Sequence, residues 1–171
     1  DGTIVSGPIA VTLNKNESYV LALANYNDGN STSNSSKIIG ALVTSDKAVA
    51  VNCGSFAGSN STKIATQDGY TGPAGRDVGI DQIVPVEKTG KEYVFVKGVG
   101  GDELERVLLI AHFDQTKIYL NASNTPYKTL NSGEYTILDG SQFINGNMYI
   151  TSSQNLFAYQ SIGGSDSPPN Q

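Results

Sequence analysis

The residues best suited to chemistry are carboxylates and tyrosines in polar, glycine-rich stretches. Asp68, Asp77 and Asp81 lie in or beside the segment 54–79, and Asp102, Glu103 and Glu105 cluster further on. Calcium takes oxygen ligands from such loops, backbone carbonyls included, which makes Asp77 and Asp81 the candidate calcium ligands. Their spacing fits no D-x-[DN]-x-[DN]-G calcium loop. Solvated turn acids, or a local ion pair of Asp77 and Asp81 with Arg76, explain the same residues. Tyr26 and Tyr70 stand on polar stretches, and with Asp68 and Asp77 they are the candidate ligand contacts, because an amphipathic ring can stack on a sugar or a peptide.

His112 is the single histidine and Cys53 the single cysteine. His112 falls inside the most apolar run of the chain, where a packed strand histidine is the simpler explanation than a catalytic base. No nucleophile-elbow motif accompanies it. Zinc needs more His or Cys ligands than the chain has, and a lone cysteine forms no intrachain disulfide. The N-x-S/T sequons at Asn16, Asn30, Asn34, Asn60 and Asn121 signify glycosylation only in a eukaryotic secretory setting. Otherwise they reflect a Ser/Asn-rich surface.

These residues need a scaffold, and the composition specifies its class. The 171 residues carry 16% charged side chains, 38% hydrophobic ones and 19 glycines. The apolar positions favour Val, Ile and Tyr over the Ala, Leu, Glu and Lys of long helices. An all-β, antiparallel, sandwich-like fold is expected. A net charge of −5, with basic residues scattered, argues against nucleic acid and anionic membrane surfaces as partners. No apolar run reaches membrane-spanning length, so direct membrane insertion is not expected.

Expected strands are Ile9–Leu13, Ser18–Leu23, a pair within Ile39–Ser55 turning at Ser45-Asp46-Lys47, Ile83–Val86, Glu92–Lys97, Arg106–Phe113, Lys117–Asn121, Tyr127–Leu130 and Tyr135–Leu138. A second pair, Met148–Thr151 and Asn155–Gln160, completes the set. Val94, Val96, Val107, Leu109, Ile118 and Leu120 are the expected core, and Asp102–Arg106 a single helical turn. Asn25–Ser36 and Gly54–Gly79 read as long polar loops. The second is too long for a neutral connector, and Ile64 is expected to pin it to the sheet.

The strands repeat. Leu13-Asn14-Lys15-Asn16-Glu17 lies over Leu130-Asn131-Ser132-Gly133-Glu134 at an offset of 117, and Thr44-Ser45 over Thr151-Ser152 at an offset of 107. The difference is taken up in the segment Asn25–Ser36. Duplication of a β unit leaves this pattern. The expected organisation is the end of a first repeat with a long loop (1–77), a complete second repeat packed on it (78–164) and a linker (165–171), all cut from a longer chain.

The stretches Leu13-Asn14…Glu17…Tyr19, Thr44-Ser45-Asp46-Lys47 before Ala48–Val51, Gly75–Gly98, Arg106–Asn121 and Leu156–Ser167 together resemble the IgGFc-binding protein N-terminal domain family, in its bacterial branch of large surface proteins. Ala48 stands where that family usually has proline. The resemblance implies an extracellular, cell-surface location and a role in adhesion, gliding or matrix building, with no catalytic residues. It implies neighbouring modules of the same chain as partners, and a surface protein or a glycan as ligand. Two other readings are a carbohydrate-binding module of a secreted enzyme, and a hydrolase using paired loop carboxylates.

Overall fold

The computed structural model describes residues 7–22, 38–58, 64–67, 70–73 and 77–162. It divides into two compact units, Asp1–Ser31 and Thr32–Gln171. In the first unit, the described residues make a tight reversal at Asn14–Glu17. The Glu17 amide donates to the Asn14 carbonyl at 3.1 Å, and the Glu17 carboxylate accepts from the Asn14 amide at 2.8 Å. Asn16 sits between them at φ 70°, a left-handed position that asparagine tolerates. The flanking residues Pro8–Leu13 and Ser18–Ala22 are in no strand, contrary to expectation.

In the second unit, residues Ala41–Val51 are also outside any strand and turn through a bend at Asp46-Lys47, so the expected strand pair there is not formed. Strand structure begins at β1 (Asn52–Gly58). The segment Gly54–Gly79, expected as one long loop, is instead strand-rich. It contains β2 (Ile64–Gln67) paired with β3 (Tyr70–Pro73), and β4 (Asp77–Gln82) returns antiparallel on β1 with Asn52 opposite Gln82. Small residues permit this pairing. A side chain at Gly54 would meet the Gly79 carbonyl and lie 2.7 Å from the Ile80 Cα. The low apolar content that suggested a loop is the condition for close backbone approach.

The rest is an antiparallel sheet of six strands: β5 (Gly90–Val96), β6 (Arg106–Ala111), β7 (Thr116–Leu120), β8 (Lys128–Leu130), β9 (Tyr135–Asp139) and β10 (Asn147–Ser161). Their order is β8-β7-β10-β6-β9, with β5 also on β10. The expected strand Ile83–Val86 is absent, because Val86 opens a short 3-10 turn ending at Lys88. Leu104 donates back to the Gly101 carbonyl at 2.9 Å, so the chain reverses at Asp102–Leu104 in a hydrogen-bonded turn. The expected helical turn at Asp102–Arg106 is not formed, and Arg106 already begins β6.

Strand β10 organises the sheet. Asn147–Thr151 pairs with β5 and Ile150–Ser152 with β7, whereas Leu156–Ser161 pairs with β6. The two strands expected at Met148–Thr151 and Asn155–Gln160 are therefore one strand, with an irregularity between Thr151 and Leu156. Polar side chains occupy that irregularity and take the backbone groups the ladder leaves. Ser153 Oγ accepts from the Lys117 amide at 2.9 Å, Gln154 Nε2 donates to the Asp114 carbonyl at 2.9 Å, and Asn155 Nδ2 to the Thr89 carbonyl at 2.9 Å. The Ser-Ser-Gln-Asn run reads as a turn in sequence because these residues bond backbone. Here they bond the backbone of neighbouring segments. A bulge of this kind lets one strand bend between two layers.

The inward faces meet in one cluster: Val107, Leu109 and Ala111 from β6, Ile118 and Leu120 from β7, Leu130, Leu138, and Met148, Ile150 and Leu156 from β10. Each of the Val, Leu, Ile and Met side chains among them contributes about 1.5–3 kcal/mol on burial. Four of the six expected core residues are in it. Val94 and Val96 are not: they are 65% and 63% exposed, while Tyr93 and Phe95 take the inward side of β5. The run Glu92–Val96 carries apolar residues on both parities, and only one parity can face the core.

The Tyr159 hydroxyl on β10 donates to the Asp81 carboxylate on β4. That bond, and then burial, hold the Tyr159 hydroxyl above the ordinary tyrosine value. Because the folded value is the higher one, the contribution is complete below about pH 10, the unfolded value, and is lost as pH rises through the folded value. Tyr159→Phe is expected to cost less than about 1 kcal/mol, since Asp81 is exposed and solvent competes for it. In an absorbance titration of the phenolates, the same variant should remove one late-ionising group.

Candidate functional site

The outward side of β5, β10 and β7 is the surface most suited to binding. Strand alternation places it. Met148 and Ile150 point into the core, so Asn147, Tyr149 and Thr151 take the opposite face. On either side, Val94 stands opposite Tyr149, Val96 opposite Asn147 and Glu92 opposite Thr151 on β5, while Tyr119 on β7 stands opposite Thr151. The two valines are the most exposed apolar residues of the sheet strands. Tyr149 donates its hydroxyl to Glu92, which holds that hydroxyl above its ordinary value and fixes the ring beside the valines. The result is a patch of two aliphatic side chains and two rings with an acid at its margin. Aromatic anchors and aliphatic surface of this sort carry protein contacts.

Sequence reasoning missed this face by assigning Val94 and Val96 to the core. The signal was available in the doubled apolar parity of Glu-Tyr-Val-Phe-Val.

Beside β5 is a loop built on Glu105, the carboxylate expected in the acidic cluster. Glu105 is fully buried, and its oxygens accept from the Gly98 and Gly100 amides, both at 3.1 Å. Its neighbours are turned outward: Asp102 pairs with Lys97, and the Glu103 carbonyl accepts from the Arg106 guanidinium at 3.1 Å. The cluster is thus a loop anchor with an exposed ion pair. The bond to Asp102 raises Lys97 above its ordinary value.

The expected site residues are not gathered by this face. Asp81 holds Tyr159. Tyr70 begins β3 and Asp77 begins β4, but their side chains, and that of Ile64, lie outside the described residues, as do Tyr26 and Asp68 altogether. Among the described residues no three His, Cys, Asp or Glu side chains are placed to hold a metal ion. His112 packs edge-on against Phe113 with ring centroids 4.6 Å apart.

A groove of about 580 Å³ runs between Ile39–Ala41 and the β8–β9 turn. Its size suits a small ligand, but its charged groups are Lys128 and Glu134, and Glu134 already accepts from the Asn131 amide at 2.7 Å. No set of polar groups converges in it.

Compared with known proteins, residues 2–171 match the family model described as IgGFc binding protein. No curated protein and no solved structure matches the chain.

Proposed function

The chain belongs to the IgGFc binding protein family, and from that premise we propose that it is an extracellular, non-catalytic binding module whose contact surface is the outward face of β5, β10 and β7. The observation that carries the reading is the exposure of Val94 and Val96, 65% and 63%, beside Tyr149 on a rigid sheet. An exposed apolar patch on a well-packed scaffold marks an interaction site. The partner is a protein surface, and the role is adhesion or matrix building within a long bacterial surface protein, next to modules of the same kind. Tyr26, and separately Asp68, Tyr70 and Asp77, are further candidate ligand contacts in the same proposal, with calcium at Asp77 and Asp81. A chelator that leaves the melting temperature unchanged sets the ion aside.

The family's printed name supplies the first probe, the Fc region of IgG; a glycan panel tests the carbohydrate-binding alternative. Val94→Lys with Tyr149→Ser is expected to weaken protein binding at least tenfold, about 1.4 kcal/mol, with the melting temperature little changed because neither residue is in the core. Binding to glycans alone, or protein binding indifferent to the double variant, overturns the assignment of this face.

A further inference from the structure

We propose that Leu42–Ala50 is the central strand of a second, incomplete sheet, and that it receives a three-stranded segment patterned like β5–β7 from a neighbouring module.

The two halves of the repeat share more than residue types. At the offset of 117, the reversal Asn14–Glu17 recurs at Asn131–Glu134: the Glu134 amide donates to the Asn131 carbonyl at 2.9 Å, and its carboxylate accepts from the Asn131 amide at 2.7 Å. Asn16 at φ 70° corresponds to Gly133 at φ 79°. At the offset of 107, Ser45 Oγ donates to the Lys47 carbonyl at 2.6 Å and Ser152 Oγ to the Gln154 carbonyl at 2.7 Å. Turn geometry that recurs at both sequence offsets identifies Val11–Leu13 and Ser18–Ala22 as counterparts of β8 and β9, and Leu42–Ala50 as the counterpart of Tyr149–Phe157 in β10.

The pairing of the complete sheet then explains why the counterparts are not strands. β8 pairs with β7, β9 with β6, and β10 with β5, β6 and β7. No member of the trio β8, β9, β10 pairs with another member, so the copy of the trio up to Val51 has its counterpart ladder partners in a copy of β5–β7, whereas Asn52–Gly54, the counterparts of Tyr159–Ser161, pair with β4. The side chains agree. Val43 and Val49 are 61% and 55% exposed, where their counterparts Ile150 and Leu156 are 0% exposed; Leu13 and Leu21 are 44% and 52% exposed against 2% and 1% for Leu130 and Leu138. Apolar residues held at core parity but left in water call for a partner of the same strand pattern. That pattern is the occupant: alternate apolar residues such as Val107, Leu109 and Ile118, on a segment laid antiparallel to Leu42–Ala50.

The test places a second copy of residues 90–120 ahead of Asp1 in the full chain, so that residues 1–10 stand in for the connection 121–127 between β7 and β8. Amide hydrogen exchange over Tyr19–Ala22 and Leu42–Ala50 is expected to slow by roughly 100-fold or more, the protection of a paired strand. Val49→Asp in that chain should return Leu42–Ala50 to fast exchange while β6–β10 stay protected. The unmodified chain titrated with the 90–120 peptide gives the same reading without a fusion that has to fold. Fast exchange at Leu42–Ala50 in both formats overturns the proposal, as does slowing that survives Val49→Asp.

Discussion

Ile150→Ala is expected to destabilise the chain by about 2–5 kcal/mol, the range for removing a buried branched side chain and leaving a cavity. Ile150 has no exposed surface. It lies opposite Tyr93 on β5 and Leu120 on β7, at the point where three strands meet, so collapse around the gap would have to move β10 itself. Close-packed interiors relax only in part, which places the site towards the upper end of the range. Urea unfolding should show a lower midpoint with an unchanged slope. Ile137 is the matched control, since it is 45% exposed and its removal leaves little void. A loss of less than about 1 kcal/mol at Ile150 would show that β10 is not the spine of the core.

Periodicity made much of this sheet legible. The run Arg106–Phe113 reads as the most buried strand. The strand stops at Ala111, before His112 and Phe113, and its burial alternates along its length, with Val107 and Leu109 in the core as expected. The strands at Lys117, Lys128 and Tyr135 are also visible, because each has polar turn formers at its ends, although β6 and β7 flank β10 and do not pair with each other. Long-range pairing was not visible. Nothing local in Met148–Ser161 distinguishes two strands with a turn from one strand with a bulge. The decision rests on the Lys117 amide and the Asp114 carbonyl, more than thirty residues away in sequence. The segment Gly54–Gly79 failed for a related reason, since a strand made of small residues has no hydrophobic alternation and is defined by its partner's backbone.

The first-repeat segments are the reverse case. Ser18–Leu21 and Leu42–Val49 have strand composition, yet they stand outside any strand, because composition supplies a side-chain pattern but not a ladder. The candidate binding face was half legible. Tyr119 and Tyr149 could be placed on strands, but which parity of Glu92–Val96 faces water depends on the register with β10. That register is fixed by Phe95 and Met148 entering the core together.

Glu105→Ala is expected to cost about 3 kcal/mol, and the loss should appear first in the loop beside the binding face. The Glu105 carboxylate is the acceptor for the Gly98 and Gly100 amides. Alanine strips both of a partner, the Gly100 amide in a buried place and the Gly98 amide in a part-buried one. Hydrogen bonds involving charged groups contribute about 1.5–3 kcal/mol each, and an unsatisfied buried donor keeps its desolvation cost. Solvent entering the opened loop recovers part of the sum, which keeps the figure below the full total. Glu105→Gln keeps one acceptor oxygen and is expected to lose roughly half as much. Gly98→Ala attacks the same contact from the other side, because its Cβ would lie 2.6 Å from the Glu105 carboxylate and would meet the Ile162 side chain as well. The measurement is amide exchange over Gly98–Leu104 alongside thermal melting. Fast exchange there, with β6–β10 still protected and the melting temperature lowered by about 6–12 °C, shows the carboxylate acting as the anchor that holds the end of β5. If Glu105→Ala melts within about 2 °C of the parent and the loop amides exchange as before, the turn is held by the Lys97–Asp102 pair and the backbone alone, and Glu105 is an expendable buried acid.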